Sequence, residues 1–460
     1  MTGETSYDVR IWKTEVYKGV RGTTHRVRWT VAGQRFGDKF GTAALADSFR
    51  STLMTAARAG EAFDVRTGEP ISAKRRRIES ITWYDFARTY VDAKWPDASP
   101  KHRKSTAESL ITVTMALLDR PAPTGGEGVA TRSALLNYGF NTVQREQAPE
   151  AVRARLKWVQ EHSRPLVDLR EPETMRAVLA AIGRKLTGGR CAPRTAALKR
   201  SILHNALQFA VIEKGYLAEN PLKNTPAKAT PPTGMVDRRV VPNPRQAEAL
   251  LKAVAVTPRT GPHLAAFFGA IYYAGLRPEE AAALRELDLD LPPVTTPDAF
   301  GWILLARAAP ENGRQWSDTG QRRHERELKH RPVGDVRRVP CPPELVTLFR
   351  DHLKRFRTDH EGRLFRSEMG TTLSSGSYTK LWARARKAAL TEAQATSPLA
   401  RRPYDLRHAC VSTWLNDGVT ATQVAEWAGH SVNVLLRVYA KCLDGGEVQA
   451  LAKLAKARRK

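Results

Sequence analysis

The chain is short of acid. Its 460 residues carry 47 Asp and Glu against 74 Lys and Arg, a formal net charge of +27. That imbalance predicts a polyanionic partner, because each phosphate neutralised by a basic side chain releases a condensed counterion. Cysteine is scarce too. The four present (Cys191, Cys341, Cys410, Cys442) are scattered, with no CxxC pair and no metal-ligand spacing. That spacing carries no metal-site signature and leaves buried reduced thiols as the expectation. Long apolar runs are missing: the longest, Leu264 to Leu276, is too short to cross a bilayer. The opening stretch MTGETSYDVR lacks the basic-then-apolar order of a signal peptide. A soluble cytoplasmic protein without membrane contact is therefore expected. No internal repeat and no long low-complexity tract stands out.

What is present divides into three regions, in keeping with a length that suits about three domains. Up to residue 75 the pattern is strands and then a helix. Val9, Ile11 and Val16 precede Arg26-Val27-Arg28-Trp29-Thr30-Val31, whose alternation suits a half-buried strand. Ala32-Gly33-Gln34 reads as a hairpin turn and residues 35–40 as the return strand. Thr42 can cap a helix from Ala43 to about Ala59, with Leu45, Phe49 and Leu53 on one face and Gly60 closing it. A small basic sheet backed by one helix suits a nucleic-acid groove. Residues 78–225 read as helical. Trp83, Phe86, Tyr90 and Val91 give one apolar face, and a helix from Thr195 to Lys214 would bury Leu198, Ile202, Leu203, Ala206 and Phe209. Lys199 and Arg200 on its other side could meet phosphates or simply be solvated. Residues 121–128 and 142–150 read as loops, and 223–240, rich in Pro, Thr and Lys, as an interdomain linker.

The third region, 240–460, holds the chemistry. Helices are expected over 244–254 and 264–273, with Gly275 as a stop and Pro278 in the first position of a further helix. Arg277 then lies at a helix entrance, where backbone N–H groups favour an anion. Strands are expected at 302–305 and 337–340, separated by a long, polar, partly mobile stretch at 308–335. From Tyr404 a helix should run to Asn416. Thr420 and Gln423 form a capping box for the next, which ends at Gly429, and Ser431 caps another that carries Tyr439. The fold class expected is multidomain α+β: a small N-terminal β-sheet with one helix, an all-α middle domain, and a mainly α C-terminal domain with a small β-sheet.

Taken singly, Arg277 could just pair with Glu280, His430 could be a helix C-cap, and Tyr439 could be core. Glu280 reads as structural, holding the helix or an arginine, and His408 as structural. Taken together, two arginines, a histidine and a tyrosine form a kit for attacking a phosphodiester. Moreover, Ala274-Gly275-Leu276-Arg277-Pro278-Glu279-Glu280, Tyr404-Asp405-Leu406-Arg407-His408, Ala428-Gly429-His430-Ser431 and the later Tyr439 resemble, in order and spacing, the catalytic boxes of the tyrosine recombinases, the phage integrase family. The middle region resembles that family's core-binding helical domain. The first resembles the arm-type DNA-binding domain of integrases from actinomycete phages and integrative elements.

The resemblance implies a site-specific DNA recombinase that needs neither metal nor ATP nor any other cofactor. Tyr439 would be the nucleophile that takes up a 3′ phosphate, and Arg277 and Arg407 would clamp the transition state. His430 would donate to the same phosphate. Lys329, in Glu327-Leu328-Lys329-His330, best matches the family's general acid, although its loop is longer than the commonest pattern. Tyr404 stands where the family most often has histidine. A tyrosine can donate to a phosphate oxygen, but an ordinary phenol is no base near neutral pH, so a base role would move elsewhere, His430 included. Implied partners are double-stranded DNA at core and arm attachment sites, three further copies in a homotetramer, and a host bending factor or excisionase. The tail after Tyr439 (443–460) would dock on a neighbouring copy. A type IB topoisomerase-like enzyme and a non-catalytic architectural DNA binder are the alternatives.

Overall fold

Alternation along the strand Gly22–Val31 sends Val27, Trp29 and Val31 to one face, where all three are buried. In the computed structural model, which describes residues 4–19, 22–185, 188–223, 225, 235–323, 325–328 and 334–439, this strand is the spine of an antiparallel sheet. Val9–Ile11 and Glu15–Gly19 share one of its edges, and Gln34–Phe40 takes the other. The hairpin turn is two residues, Ala32 at φ 48° and Gly33 at φ 78°, the left-handed pair that matches strand twist in a tight hairpin.

The helix Ala43–Arg58, capped by Thr42, covers the buried face with Ala46, Phe49, Leu53 and Ala56. Phe49 meets Trp29 edge-on at 5.4 Å between ring centroids. Leu45, expected on that face, is 59% exposed: one residue of helical rotation gives its place to Ala46. The sheet's other face carries Arg10, Arg28, Arg35 and Lys39, all exposed.

The chain forms two compact units, residues 1–228 and 229–460. Besides the sheet, the first holds helices at Ile71–Glu79, Trp83–Lys94, Pro100–Ala116, Gly125–Ala134, Glu150–Glu161, Pro172–Ile182 and Pro193–Ile212. Their core is built on Trp83, Phe86, Leu110, Phe140, Leu203 and Phe209. The expected loop at 121–128 gives way to helix at Gly125, and that at 142–150 contains a short 3-10 turn at Arg145–Gln147. Leu198, expected in the core, is 47% exposed because it lies a turn before the packed segment begins at Ile202. Lys199 donates to Thr112 Oγ1 at 3.0 Å and Arg200 to the Thr225 carbonyl, so both are engaged within the unit.

In the second unit the helix Gly261–Tyr273 is the hub, burying Leu264, Phe267, Phe268 and Ile271. A three-stranded sheet in the order Arg337–Cys341, Gly301–Leu305, Leu289–Asp290 packs into the same core. The helices Tyr404–Asn416, Ala421–Ala428 and Val432–Tyr439 gather a second core of Val411, Val424, Ala428, Leu435 and Tyr439.

Two stretches expected from their composition to be polar or linker-like carry buried anchors. Within 308–335, the described residues 308–323 and 325–328 include packed ones: Arg307–Ala308 pairs with Arg326–Glu327, Trp316 is 1% exposed, and buried Arg323 donates to the Leu373 and Ala309 carbonyls. One guanidinium and one indole tie the segment down despite its polar composition. The linker expected over 223–240 ends early, because Val236 is buried and donates to the Val438 carbonyl at 2.8 Å. Cys341 and Cys410 are buried, and Cys191 is half-buried, all as free thiols. Cys442 and the tail 443–460 lie outside the described residues. Among the described residues no helix is long and apolar enough to cross a membrane.

Candidate active site

Two helices end in left-handed glycines, and their ends meet. Gly275 (φ 59°) stops Gly261–Tyr273, and Gly429 (φ 62°) stops Ala421–Ala428. A helix C-terminus leaves carbonyls without intrahelical partners and a partial negative charge. Here arginines satisfy them. Arg407, wholly buried, donates to the Gly275 and Ala428 carbonyls, and Arg277 donates to the Gly429 carbonyl at 2.8 Å. Each guanidinium is thereby fixed before any ligand arrives.

Beneath them lies Glu280, 1% exposed. Its carboxylate accepts from the Arg277 backbone N–H at 2.8 Å and from the Arg277 guanidinium at 2.5 Å. It also accepts from Arg337 at 2.7 and 3.1 Å, with Arg407 at 3.9 Å. Burial opposes the charge on Glu280, but the Arg337, Arg277 and Arg407 guanidiniums outweigh it and hold the carboxyl well below the usual carboxylate range. The anion expected at the helix entrance after Arg277 is therefore supplied by the protein itself. Three guanidiniums share this one buried carboxylate in a largely desolvated pocket. Uncompensated buried charge is costly, so the pocket is built to take an anion.

His430 continues the chain of contacts. Its Nε2 accepts from Arg407 at 3.0 Å, which leaves the proton on Nδ1 in the neutral ring. That Nδ1 is buried without a hydrogen-bond partner among the described residues, as is Arg407 Nε. Burial, then the Arg407, Arg277 and Arg337 charges, push His430 down to about 3, so it is a neutral donor. The His430 ring lies 6.3 Å from that of Tyr439, centroid to centroid. Tyr439, 1% exposed, ends its helix with its hydroxyl 3.0 Å from His408 Nδ1.

Of the residues expected from sequence, Arg277, Arg407, His430 and Tyr439 converge. Tyr404 is close by: its ring meets His408 edge-on at 5.0 Å, and the Arg407 guanidinium lies 5.9 Å above it. Lys329 lies outside the described residues. Two further residues join the cluster, Arg337 through Glu280 and His408 through Tyr439. Arg337 was read only as part of a strand, yet as its first residue on the buried face it reaches Glu280. His408, read as structural, lies on the Tyr439 hydroxyl. Its spacing of four from Tyr404, which puts the two on one helix face, was the available signal.

No protein-family model matches the chain, and no curated protein matches it. Among solved structures, the chain is similar to the Tn1549 transposon integrase in complex with transposon right-end DNA, at 18% identity and a TM-score of 0.45 over 68% of this chain and 95% of that one. It is similar to the XerH site-specific recombinase bound to a palindromic difH substrate, at 13% identity and 0.47 over 81% and 96%. It is also similar to a lambda integrase tetramer bound to a Holliday junction, at 15% identity and 0.42 over 92% and 97%. All these TM-scores lie below 0.5.

Proposed function

We propose that the chain is a site-specific DNA recombinase of the integrase type, breaking and rejoining DNA through a phosphotyrosine at Tyr439. The carrying observation is that Tyr439, its hydroxyl on His408 Nδ1, stacks at 6.3 Å against the His430 ring, which in turn accepts from Arg407 of a preformed guanidinium cluster. A phosphodiester is a monoanion that such a guanidinium-rich pocket can take. It gains negative charge on its non-bridging oxygens as it becomes a phosphorane, which Arg277 and Arg407 would stabilise through fixed N–H donors. The His430 Nδ1–H, lacking a partner among the described residues, would give a further donor. The tyrosine oxygen bonds to phosphorus, the 5′ oxygen leaves, and the energy of the broken ester is kept in the phosphotyrosine. Rejoining would therefore need neither ATP nor a metal. Lys329 is the assigned general acid for the leaving 5′ oxygen.

The domain assignment that goes with this reading is residues 1–75 for arm sites, 78–225 for the core site and 240–460 for catalysis. The exposed Arg10, Arg28, Arg35 and Lys39 on the open sheet face support the first of these. Double-stranded DNA, three further copies of the chain and a bending factor or excisionase are the proposed partners, in the nucleoid-bearing cytoplasm.

The test is trapping. A pool of nicked duplexes with randomised cores is incubated with the full chain, the short fragment downstream of the nick diffuses away, and covalent protein–DNA complex accumulates. Complex from the wild type but not from Tyr439→Phe supports the recombinase. Retained binding without complex under any condition would favour an architectural DNA binder.

A further inference from the structure

The geometry points to His408 as the general base for Tyr439, a catalytic role one helical turn beyond the position where the tyrosine recombinases most often carry histidine. This rests on the proposed phosphotyrosine chemistry. His408 Nδ1 and the Tyr439 hydroxyl are 3.0 Å apart, with ring centroids 5.6 Å apart. Of the two, only the phenol carries a proton it must lose. With the imidazole neutral and its own proton on Nε2, the hydroxyl donates and Nδ1 accepts. The contact already has the reach a general base requires.

The surroundings fit. Facing His408 are the charged Arg407 and Arg402, the Tyr404 ring one turn earlier, and Tyr439 with His430 behind it. Burial, then Arg407 and Arg402, push His408 down to about 4, so it is unprotonated and able to accept at neutral pH. A base that weak would take a phenol proton poorly in the free protein. A phosphodiester bound on Arg407 changes the balance: its negative charge offsets the guanidinium field that depresses the imidazole, so substrate binding itself raises the basicity of His408.

In the cleavage step the phenol proton passes to His408 Nδ1 as the Tyr439 oxygen bonds to phosphorus. The bond from phosphorus to the 5′ oxygen breaks, and that oxygen keeps its electron pair and takes a proton from Lys329 or solvent. On rejoining, His408 returns its proton to the departing phenolate. His430, whose accepting nitrogen is engaged by Arg407, keeps the donor role.

Two variants separate base from support. His408→Asn keeps an acceptor near Nδ1 but cannot take a proton, and His408→Phe keeps the ring packing and loses both. Covalent-complex formation is followed on nicked duplexes carrying a bridging 5′-phosphorothiolate, whose thiolate leaves without a proton, so the step reports the base alone. Both variants are expected to slow complex formation about 100-fold or more, in the range of general-base effects. The wild-type rate should level off above the imidazole's pKa, while the Asn variant keeps rising with pH toward the ordinary phenol range. An Asn variant within about threefold of wild type, with the same pH profile, overturns the assignment and leaves the recombinase reading intact. Wild type that forms no complex brings down both. Nitrogen-15 NMR of the free protein gives a check independent of DNA: Nδ1 must be the unprotonated nitrogen at neutral pH, and a proton there contradicts the proposal.

Discussion

Arg337 and Glu280 form an ion pair from which solvent is almost entirely excluded, the guanidinium 2% and the carboxylate 1% exposed, with 2.7 Å between Nη2 and Oε2. Neither was singled out by the sequence as a reacting group, yet Arg277 and Arg407 are arranged around them. Glu280→Ala removes the buried carboxylate that three guanidiniums share. The expected loss is about 3–5 kcal/mol of unfolding free energy, the usual result of removing one partner of a buried pair. Urea denaturation measures it, and a loss under about 1 kcal/mol would mean that the pair organises nothing.

Gly429 should tolerate no side chain. Its φ of 62° is left-handed, and an added Cβ would run into the Arg337 guanidinium. Gly429→Ala therefore combines a backbone penalty of roughly 1–2 kcal/mol with displacement of an arginine from Glu280. Calorimetry should show a lowered Tm, and trapping on nicked duplexes a loss of covalent complex larger than that stability change explains.

Acid should weaken the second unit in a defined window. His263, His352, His408 and His430 all have folded-state values pushed down, chiefly by burial. When the folded value is the lower, the unfolded chain binds the proton first. The stability contribution is thus full above the ordinary histidine value of about 6.5 and is lost as pH falls below it. His263 and His408 are each pushed down to about 4 and His430 to about 3, so the loss extends to those values. His263→Phe, which keeps an aromatic ring against His352 and Phe356, should flatten the fall in stability between about pH 6.5 and pH 4. An unchanged slope would show that His263 titrates normally.

The segment entering the second unit should govern the nucleophile's helix. Val236 is buried with Leu435 and Tyr439 and bonds to the Val438 carbonyl. Val236→Asp puts an unpaired carboxylate there. Covalent-complex formation should fall at least tenfold, with far-UV circular dichroism little changed. A rate equal to wild type would show that the strap and the helix act separately.

Much of this was legible in sequence for reasons that can be stated. The glycine stops at 275 and 429 are local signals, and they fix where helices end and therefore where Arg277 and His430 stand. Val27, Trp29 and Val31 announce their strand by alternation. What escaped is tertiary. Nothing local tells Arg337 from Arg338, its neighbour, whose guanidinium stacks on Trp302 at 4.2 Å instead of reaching Glu280. Only the sheet register, which seats Arg337 opposite Leu305 on the buried side, separates them. His408 was similarly hidden, since its significance lies in a helix 31 residues onward. Within 308–335 the anchors Trp316 and Arg323 are single residues in a polar context, so composition does not announce them.

Mass spectrometry of the trapped complex addresses the central claim most directly. After protease and nuclease digestion, the peptide containing Tyr439 should carry the residual nucleotide through a phosphodiester on the phenol, and Tyr439→Phe protein should carry none. Nucleotide on any other residue, or its absence from a wild type that binds DNA, would contradict the account.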